Sequence, residues 1–353
     1  MIEKDFFIAG GGLAGLTLAY RLTECCQASI VMVDDEHPCA ASRIAAGLIN
    51  PITGRRHVKT RMADTLIPVA FKFYRHLESL TGLPIIKPMP IAVIYDSIKT
   101  RNDWLARSAE KGYENYIDRE LSPGELCPAV RSPYGGIVLK QSAAIDVPNL
   151  LSALKHLLTQ RHVMFITDVF NPDEFRFDQH YAEWKNIRAR RVIFCEGWKM
   201  TTNPWFSHHP MKPVKGELLL IECPELTTDY ILMKDVFLCP VDANRFLAGS
   251  TYEWNFTGSE PSQQAREKLE KSIRQLLTVR FHVVGHHAAI RPAMEHRWPV
   301  AAMHPIIRQA AVFNGLGTKG FLLAPYFSEK LAEELIRSAL SADNKQRRQS
   351  TCY

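Results

Sequence analysis

The first 34 residues constrain the fold more than any other stretch of the chain. Asp5-Phe6-Phe7-Ile8-Ala9 reads as a buried strand and runs into Gly10-Gly11-Gly12-Leu13-Ala14-Gly15. An apolar helical pattern follows through Leu22. A second strand, Ser29-Ile30-Val31-Met32-Val33, then ends at Asp34, nineteen positions after Gly15. A strand, a G-x-G-x-x-G turn, a helix, a strand and an acid in that order make the fingerprint of a dinucleotide site. Gly10 makes the tight turn, Gly12 lets a pyrophosphate approach the backbone, and Gly15 lets the helix lie close on the strands. The helix N-terminus offers bare N–H groups and partial positive charge to phosphates. Asp34 stands where a carboxylate accepts hydrogen bonds from a ribose hydroxyl. Residues 6–20 are apolar enough to suggest a secretory leader. However, Met1-Ile2-Glu3-Lys4-Asp5 carries more acid than base and a run of three glycines, Gly10 to Gly12, interrupts the stretch, so a leader is not expected.

At 353 residues, two domains are expected. A hydrophobic fraction of 46% and a charged fraction of 23% fit an ordinary globular protein. No apolar run approaches the ~18 residues of a membrane helix, so no membrane partner and a cytoplasmic location are expected. The eight cysteines are scattered without a Cys-x-x-Cys pair, as expected for reduced thiols. The net charge of +6 permits an anionic partner without demanding one. Basic residues bunch at Arg55 to Arg61, at Arg188 to Arg191, and at Lys345, Arg347 and Arg348. The plain reading is solvated surface; the alternative is a track for nucleic-acid phosphates. His282, His286, His287 and the pair His208-His209 have no cysteine or carboxylate spaced to complete a metal site. They are expected at helix ends and in loops, with no metal.

Further along, Pro84 to Pro90 reads as a crossing between lobes, followed by a strand at Ile91 to Tyr95. A helix is expected over Asn102 to Lys111 and a strand over Gly135 to Lys140. Asp146 caps a helix with Leu150, Leu151, Leu154 and Leu157 on its apolar positions. Val163 to Thr167 and Arg191 to Cys195 are short apolar runs of parallel-sheet type. From Lys215 to Ser250, strand-like runs split by turns predict an antiparallel sheet, and Pro261 to Leu277 a charged amphipathic helix. The tail from Ser341 to Tyr353 is polar and is expected to fray.

Near the end, strand Ala311-Val312-Phe313 leads into a second glycine-rich turn, Asn314-Gly315-Leu316-Gly317-Thr318-Lys319-Gly320, and a last helix. One dinucleotide has one pyrophosphate, so a second such turn points to a second anionic locus. A reduced isoalloxazine carries negative charge near N1 and O2, and a helix N-terminus aimed there stabilises it. This favours FAD over NAD.

With these landmarks the chain resembles the D-amino-acid oxidase and glycine oxidase family of flavoproteins. The resemblance rests on Gly10 to Gly15 with Asp34, Ala41 to Pro51, Pro213 to Glu217, Ala248 to Glu253, Ile290-Arg291-Pro292 and Asn314 to Pro325. Within the family, Gly47 to Pro51, Gly249 to Tyr252 and Gly315 to Gly320 look most similar to the flavin domains of bifunctional tRNA wobble-uridine modification proteins. The resemblance implies an α/β fold: a Rossmann-like FAD-binding domain assembled from discontinuous segments, with an inserted antiparallel-sheet α+β substrate domain. The expected boundaries are 1–85, 143–212 and 287–353 for the first, and 86–142 and 213–286 for the second. The implied FAD contacts are Gly10, Gly12, Leu13, Ala14, Gly15 and Asp34, then Ser42 and Arg43 on the pyrophosphate side, and Gly47, Leu48 and Ile49 near the ring. Val169 would meet the adenine and Gly197 the ribityl chain. Leu316, Gly317, Thr318, Lys319, Gly320, Phe321 and Leu322 would wrap the flavin. Arg291 would clamp a substrate carboxylate, a task that suits its planar fork.

Two departures matter. Phe237 stands where glycine oxidases carry a substrate-holding tyrosine, and Tyr252 is the nearby hydroxyl that could serve instead. Ile290 stands where monomeric sarcosine oxidases carry the cysteine that ties the flavin, so the FAD is expected to be non-covalent. The function expected is oxidation of a C–N bond in an amino acid or N-substituted glycine, by hydride transfer to flavin N5. A narrower alternative is trimming of a carboxymethylaminomethyl group on a tRNA wobble uridine, which would make tRNA a partner. A non-enzymatic alternative is a flavin-binding sensor or assembly protein. The sequence leaves the electron acceptor and oligomeric state open.

Overall fold

The computed structural model describes residues 1–54 and 56–350, with side chains described through 338. Arg55 and one of the eight cysteines, Cys352, therefore lie outside the described residues, as do the side chains of Lys345, Arg347 and Arg348.

An eight-stranded sheet forms around strand Ile2–Ala9. On one side it pairs in parallel with Ile30–Asp34, which pairs in parallel with Met164–Thr167. On the other side it pairs in parallel with Ile187–Phe194. The last of these carries an antiparallel hairpin on its first half and strand Ala310–Asn314, in parallel, on its second half. Phe6 to Ala9 and Ile30 to Val33 are buried on both faces, which is why they read as unbroken apolar runs. Helices Leu13–Cys25, Ala63–Thr81, Val147–Gln160 and Gly320–Ser350 pack together over one face. Aromatic residues, including Phe7, Phe175, Trp184, Phe194 and Trp205, fill the other.

The second sheet also has eight strands. Its order is His282–Arg291, Val214–Glu222, Arg245–Gly249, Phe237–Pro240, Ile231–Met233, Ile91–Ile94, Gly136–Leu139 and Ile117–Leu121. It is antiparallel except where Ile231–Met233 meets Ile91–Ile94 in parallel, the joint between its two chain segments. Helix Gln263–Leu276 covers one face through Leu269 and Ile273. On the opposite face Met233, Phe237 and Leu247 pack against the core of the first sheet. The expected border between 286 and 287 falls within strand His282–Arg291.

Several local expectations shift. His282, His286 and His287 lie on a strand, not at helix ends, because the segment pairs with Val214–Glu222 along its length. The helix expected from Asn102 begins at Ile98, since the Ser97 hydroxyl accepts the Thr100 N–H at 3.2 Å and caps it. The Pro84 to Pro90 crossing contains a strand, Ile86–Pro88, paired with Ala143–Ile145. The last helix runs through Ser350, and residues 351–353 of the tail lie outside the described residues. Helix Ala63–Thr81 was not anticipated. Its apolar stripe of Leu66, Ile67, Ala70, Phe73, Tyr74 and Leu77 is buried, and Gly82 ends it at φ +70°.

Candidate functional site: two glycine corners and a buried arginine

The first corner is built by close packing. Gly10 has φ +107°, and a Cβ there would strike the Cys195 carbonyl of the neighbouring strand. A Cβ on Gly15 would overlap the Gly10 carbonyl, so only glycine lets the helix sit this close. The helix begins at Leu13 with no cap from its own N-cap residue, Gly12, and no acid in its first turn, so its positive end suits an external anion. The Leu13 N–H donates to the Ser42 hydroxyl at 2.9 Å. Ser42 and Arg43 line, with Gly11, Gly12 and Asp34, a cleft of about 560 Å³. The Asp34 carboxylate accepts the Gly11 N–H at 2.6 Å and the Glu36 N–H at 2.8 Å. Val169 follows on the outer edge, 63% exposed, and the Asp168 N–H bonds to the Asp34 carbonyl. Glycine backbone, a helix end with no cap of its own and a carboxylate at the ribose position fit a dinucleotide such as FAD.

The second corner meets the first. A Cβ on Gly320 would lie 3.2 Å from Leu13 Cδ2, so the last helix starts against the start of the first. Asn314 Nδ2 donates to the Gly197 carbonyl at 3.0 Å, and Gly197, at φ +61°, has open space beside it. The structure therefore brings Gly10 to Gly15, Gly197 and Leu316 to Leu322 together. Leu48 and Ile49 pair with Ala144 and Ala143, and Gly47, at φ +71°, packs on the Ile145 backbone. Ala14, Leu316, Phe321 and Leu322 are buried, and the Tyr74 hydroxyl donates to the Phe321 carbonyl at 2.6 Å. Lys319 Nζ donates to Thr60 Oγ1 at 2.7 Å. Burial, with Arg297 nearby, pushes the Lys319 ammonium down to about 8.

Arg291 ends its strand beside this corner, since the Pro292 carbonyl accepts the Gly317 N–H at 3.0 Å. Its guanidinium lies flat over Gly216, where a Cβ would overlap it. It donates to the Thr251 carbonyl at 3.1 Å and stands 4.9 Å from the Tyr252 ring centre. Burial lowers its pKa, and no carboxylate pairs with it among the described residues. Leu218 and Phe237 pack around Gly249 on this face. Strand alternation sends Lys215 and Glu217 to the opposite face. There the Lys215 ammonium and Glu217 carboxylate, 4% and 0% exposed, pair at 3.0 Å, and His286 Nε2 lies 2.7 Å from Glu217.

The sequence reading passed over Glu196. Its carboxylate accepts from Asn203 Nδ2 at 2.6 Å, and burial pushes its pKa up to about 7. It lies between Cys195, packed on Gly10, and Gly197, bonded to Asn314. Position in this turn is the only signal that could have marked it. Among the described residues no group of three His, Cys, Asp or Glu is placed to hold a metal, and no helix is long and apolar enough to cross a membrane.

The tRNA 5-methylaminomethyl-2-thiouridine biosynthesis bifunctional protein MnmC of Marinobacter nauticus is 22% identical over 93% of this chain and 55% of its own length. A glycine oxidase of Pseudomonas aeruginosa is 28% identical over 42% of each. The chain thus spans about half the length of the curated relatives it matches. Among solved structures, glycine oxidase from Geobacillus kaustophilus superposes with a TM-score of 0.80 at 19% identity, covering 96% of this chain and 95% of its own. Iminodiacetate oxidase from Chelativorans superposes with a TM-score of 0.78 at 18% identity, covering 93% and 94%. Residues 5–334 match the DAO family of FAD dependent oxidoreductases, and the chain belongs to that family.

Proposed function

We propose that this protein oxidises the C–N bond of an amine that carries a carboxylate on the adjacent carbon, using FAD held without a covalent link. FAD, when bound, supplies the acceptor for a hydride from that carbon. The chain's own part is positional. The two corners receive the cofactor's diphosphate and ring, and Arg291 fixes the substrate by its carboxylate. The observation that carries the reading is Arg291: a half-buried guanidinium without a carboxylate partner among the described residues, beside the second corner. A buried unpaired cation is costly unless an anion arrives to meet it. Ile290 and Phe237 carry neither a thiol nor a hydroxyl, which supports non-covalent FAD and a substrate held without that tyrosine.

Titration with FAD, followed by anaerobic mixing with sarcosine, glycine and other N-substituted glycines, tests the reading. Bleaching of the oxidised flavin by at least one of them is expected, with Arg291→Ala abolishing it. A protein that takes up no FAD, or whose flavin no such amine reduces, would refute it.

The similarity to MnmC supports a second reading, in which the amine is borne on a tRNA uridine. The basic stretches argue for it only in part. Lys59 pairs with Asp64, Arg61 stacks on Trp298, and Arg188 pairs with Glu3. Nucleoside analysis of tRNA from a deletion strain decides it: unchanged wobble uridines rule it out.

A further inference from the structure

We infer that Thr251 is the positioning residue of the carboxylate clamp: its carbonyl sets the direction of the Arg291 guanidinium, and its hydroxyl sets the carbonyl. The inference rests on the reading of Arg291 as the group that holds substrate, and it adds what holds Arg291.

The geometry is a crossing over one strand. Val214–Glu222 lies between His282–Arg291 on one side and the chain around Thr251 on the other. Arg291 is opposite Val214 in the ladder, and its guanidinium reaches across Gly216, where any Cβ would overlap it. On the far side it donates to the Thr251 carbonyl at 3.1 Å. Among the described residues this is the one hydrogen bond that the guanidinium makes. A guanidinium carries five N–H donors in a fixed plane. Holding one of them fixes the plane, and with it the edge left for a bidentate carboxylate. A carboxylate in place of the carbonyl would hold Arg291 more firmly but would compete with the substrate for its charge. A neutral carbonyl orients the fork and leaves the charge free.

A carbonyl orients only as well as it is itself held, and Thr251 is held twice. Its N–H donates to the Glu217 carbonyl at 3.3 Å, and its hydroxyl accepts the Glu217 N–H at 2.9 Å. Thr251 is 7% exposed and Glu217 is fully buried. Glu217 is fixed in turn. Its carboxylate accepts the Ser262 N–H at 2.9 Å and the Ser262 hydroxyl at 3.0 Å, and it pairs with the Lys215 ammonium at 3.0 Å. Ser262 caps helix Gln263–Leu276 by accepting the Ala265 N–H at 3.2 Å. Burial pushes the Glu217 carboxyl up, but these bonds outweigh it and hold the carboxyl below its ordinary value, so the anchor stays charged. The Thr251 hydroxyl is the link between this buried network and the carbonyl on Arg291.

The test follows anaerobic reduction of FAD-loaded protein by sarcosine and by glycine, which separates the Kd of the amine from the limiting rate. Thr251→Val keeps the β-branch and removes the acceptor of the Glu217 N–H. Its Kd should rise roughly tenfold, the scale of one hydrogen bond to a charged group, with the limiting rate within about twofold of wild type. Thr251→Ser, which keeps the hydroxyl, should return Kd to within about threefold of wild type. FAD content and melting temperature report folding. If Thr251→Val does not fold, Thr251→Ala removes the same hydroxyl without an apolar group in its place and carries the same expectation. Unchanged Kd in the folded variant, a limiting rate that falls as much as the affinity, or no return with serine overturns the role of Thr251. Each of these leaves the clamp standing where Arg291→Ala loses binding. Wild-type binding by Arg291→Ala, or no response of the wild-type flavin to either amine, overturns the clamp and the role of Thr251 with it.

Discussion

At the scale of single residues, Gly216 and Glu196 are the sharpest probes of the site. A Cβ at Gly216 meets only the end of the Arg291 side chain, which is flexible, so Gly216→Ala should displace the guanidinium rather than the strand. A hydrogen bond to a charged group contributes about 1.5–3 kcal/mol. The variant should therefore raise KM for a carboxylate-bearing amine roughly ten- to a hundredfold. FAD content should match the wild type. Steady-state kinetics beside a flavin absorbance spectrum checks this, and a KM unchanged by the methyl group would show that Arg291 does not hold substrate. Glu196 makes a pH prediction. Its carboxyl is raised from 4.5 to about 7, so between those values the folded chain holds a proton that the unfolded chain has released. Stability from this group is full below about 4.5, falls as pH rises to about 7, and is constant above. Glu196→Gln keeps an oxygen for Asn203 and removes the titration. Denaturant midpoints of the two proteins should diverge across that window in favour of the variant. Parallel curves would mean that Glu196 is ionised throughout.

At the scale of elements, each corner couples a strand to the helix that follows it, and glycine sets the coupling distance. Gly15→Ala would place a methyl on the Gly10 carbonyl, which is backbone and has nowhere to go. Overpacking of this kind costs about 1–3 kcal/mol. The helix should tilt away from Ile2–Ala9, and FAD affinity should fall by at least about tenfold, or roughly 1.4 kcal/mol. Flavin fluorescence titration and thermal melts measure both effects; wild-type affinity would mean that the helix end does not contact the diphosphate. These corners were legible in the sequence because glycine spacing, an apolar run and an acid at its end are local signals. Asp146 and its helix were legible for the same reason. What the reading of the sequence missed was partly local and partly non-local. Helix Ala63–Thr81 carried an apolar stripe and a terminal Gly82 that pattern alone could have found. The strand His282–Arg291 could not be found that way. Its histidines and glycine look irregular until Val214–Glu222 lies beside them. That Arg291 lies over Gly216 depends on that pairing, so no window of sequence contains it.

At the scale of the whole molecule, the first and last glycine corners lie against each other. Gly320 packs on Leu13, Asn314 bonds Gly197, and the last helix lies along the first. A ligand that touches only the first corner would tighten residues near the N-terminus. A ligand that spans both must tighten helices Leu13–Cys25 and Gly320–Ser350 as a unit, although some three hundred residues separate them. Binding to the folded state alone contributes about 2.7 kcal/mol at a ligand concentration a hundred times Kd. Amides that exchange through opening of this unit should therefore slow about a hundredfold in both helices when FAD is added. The core of the second sheet, around Leu219 and Phe246, should change less, because it is a core cluster separate from the one that holds Leu13, Leu316 and Phe321. Hydrogen exchange followed by mass spectrometry, with and without FAD, resolves the three regions. Slowing confined to the first helix would separate the corners and leave the second one without a ligand. Equal slowing in both helices would mean that one cofactor joins the start of the chain to its end, and that Arg291, tied to Gly317 through Pro292, is positioned by that junction.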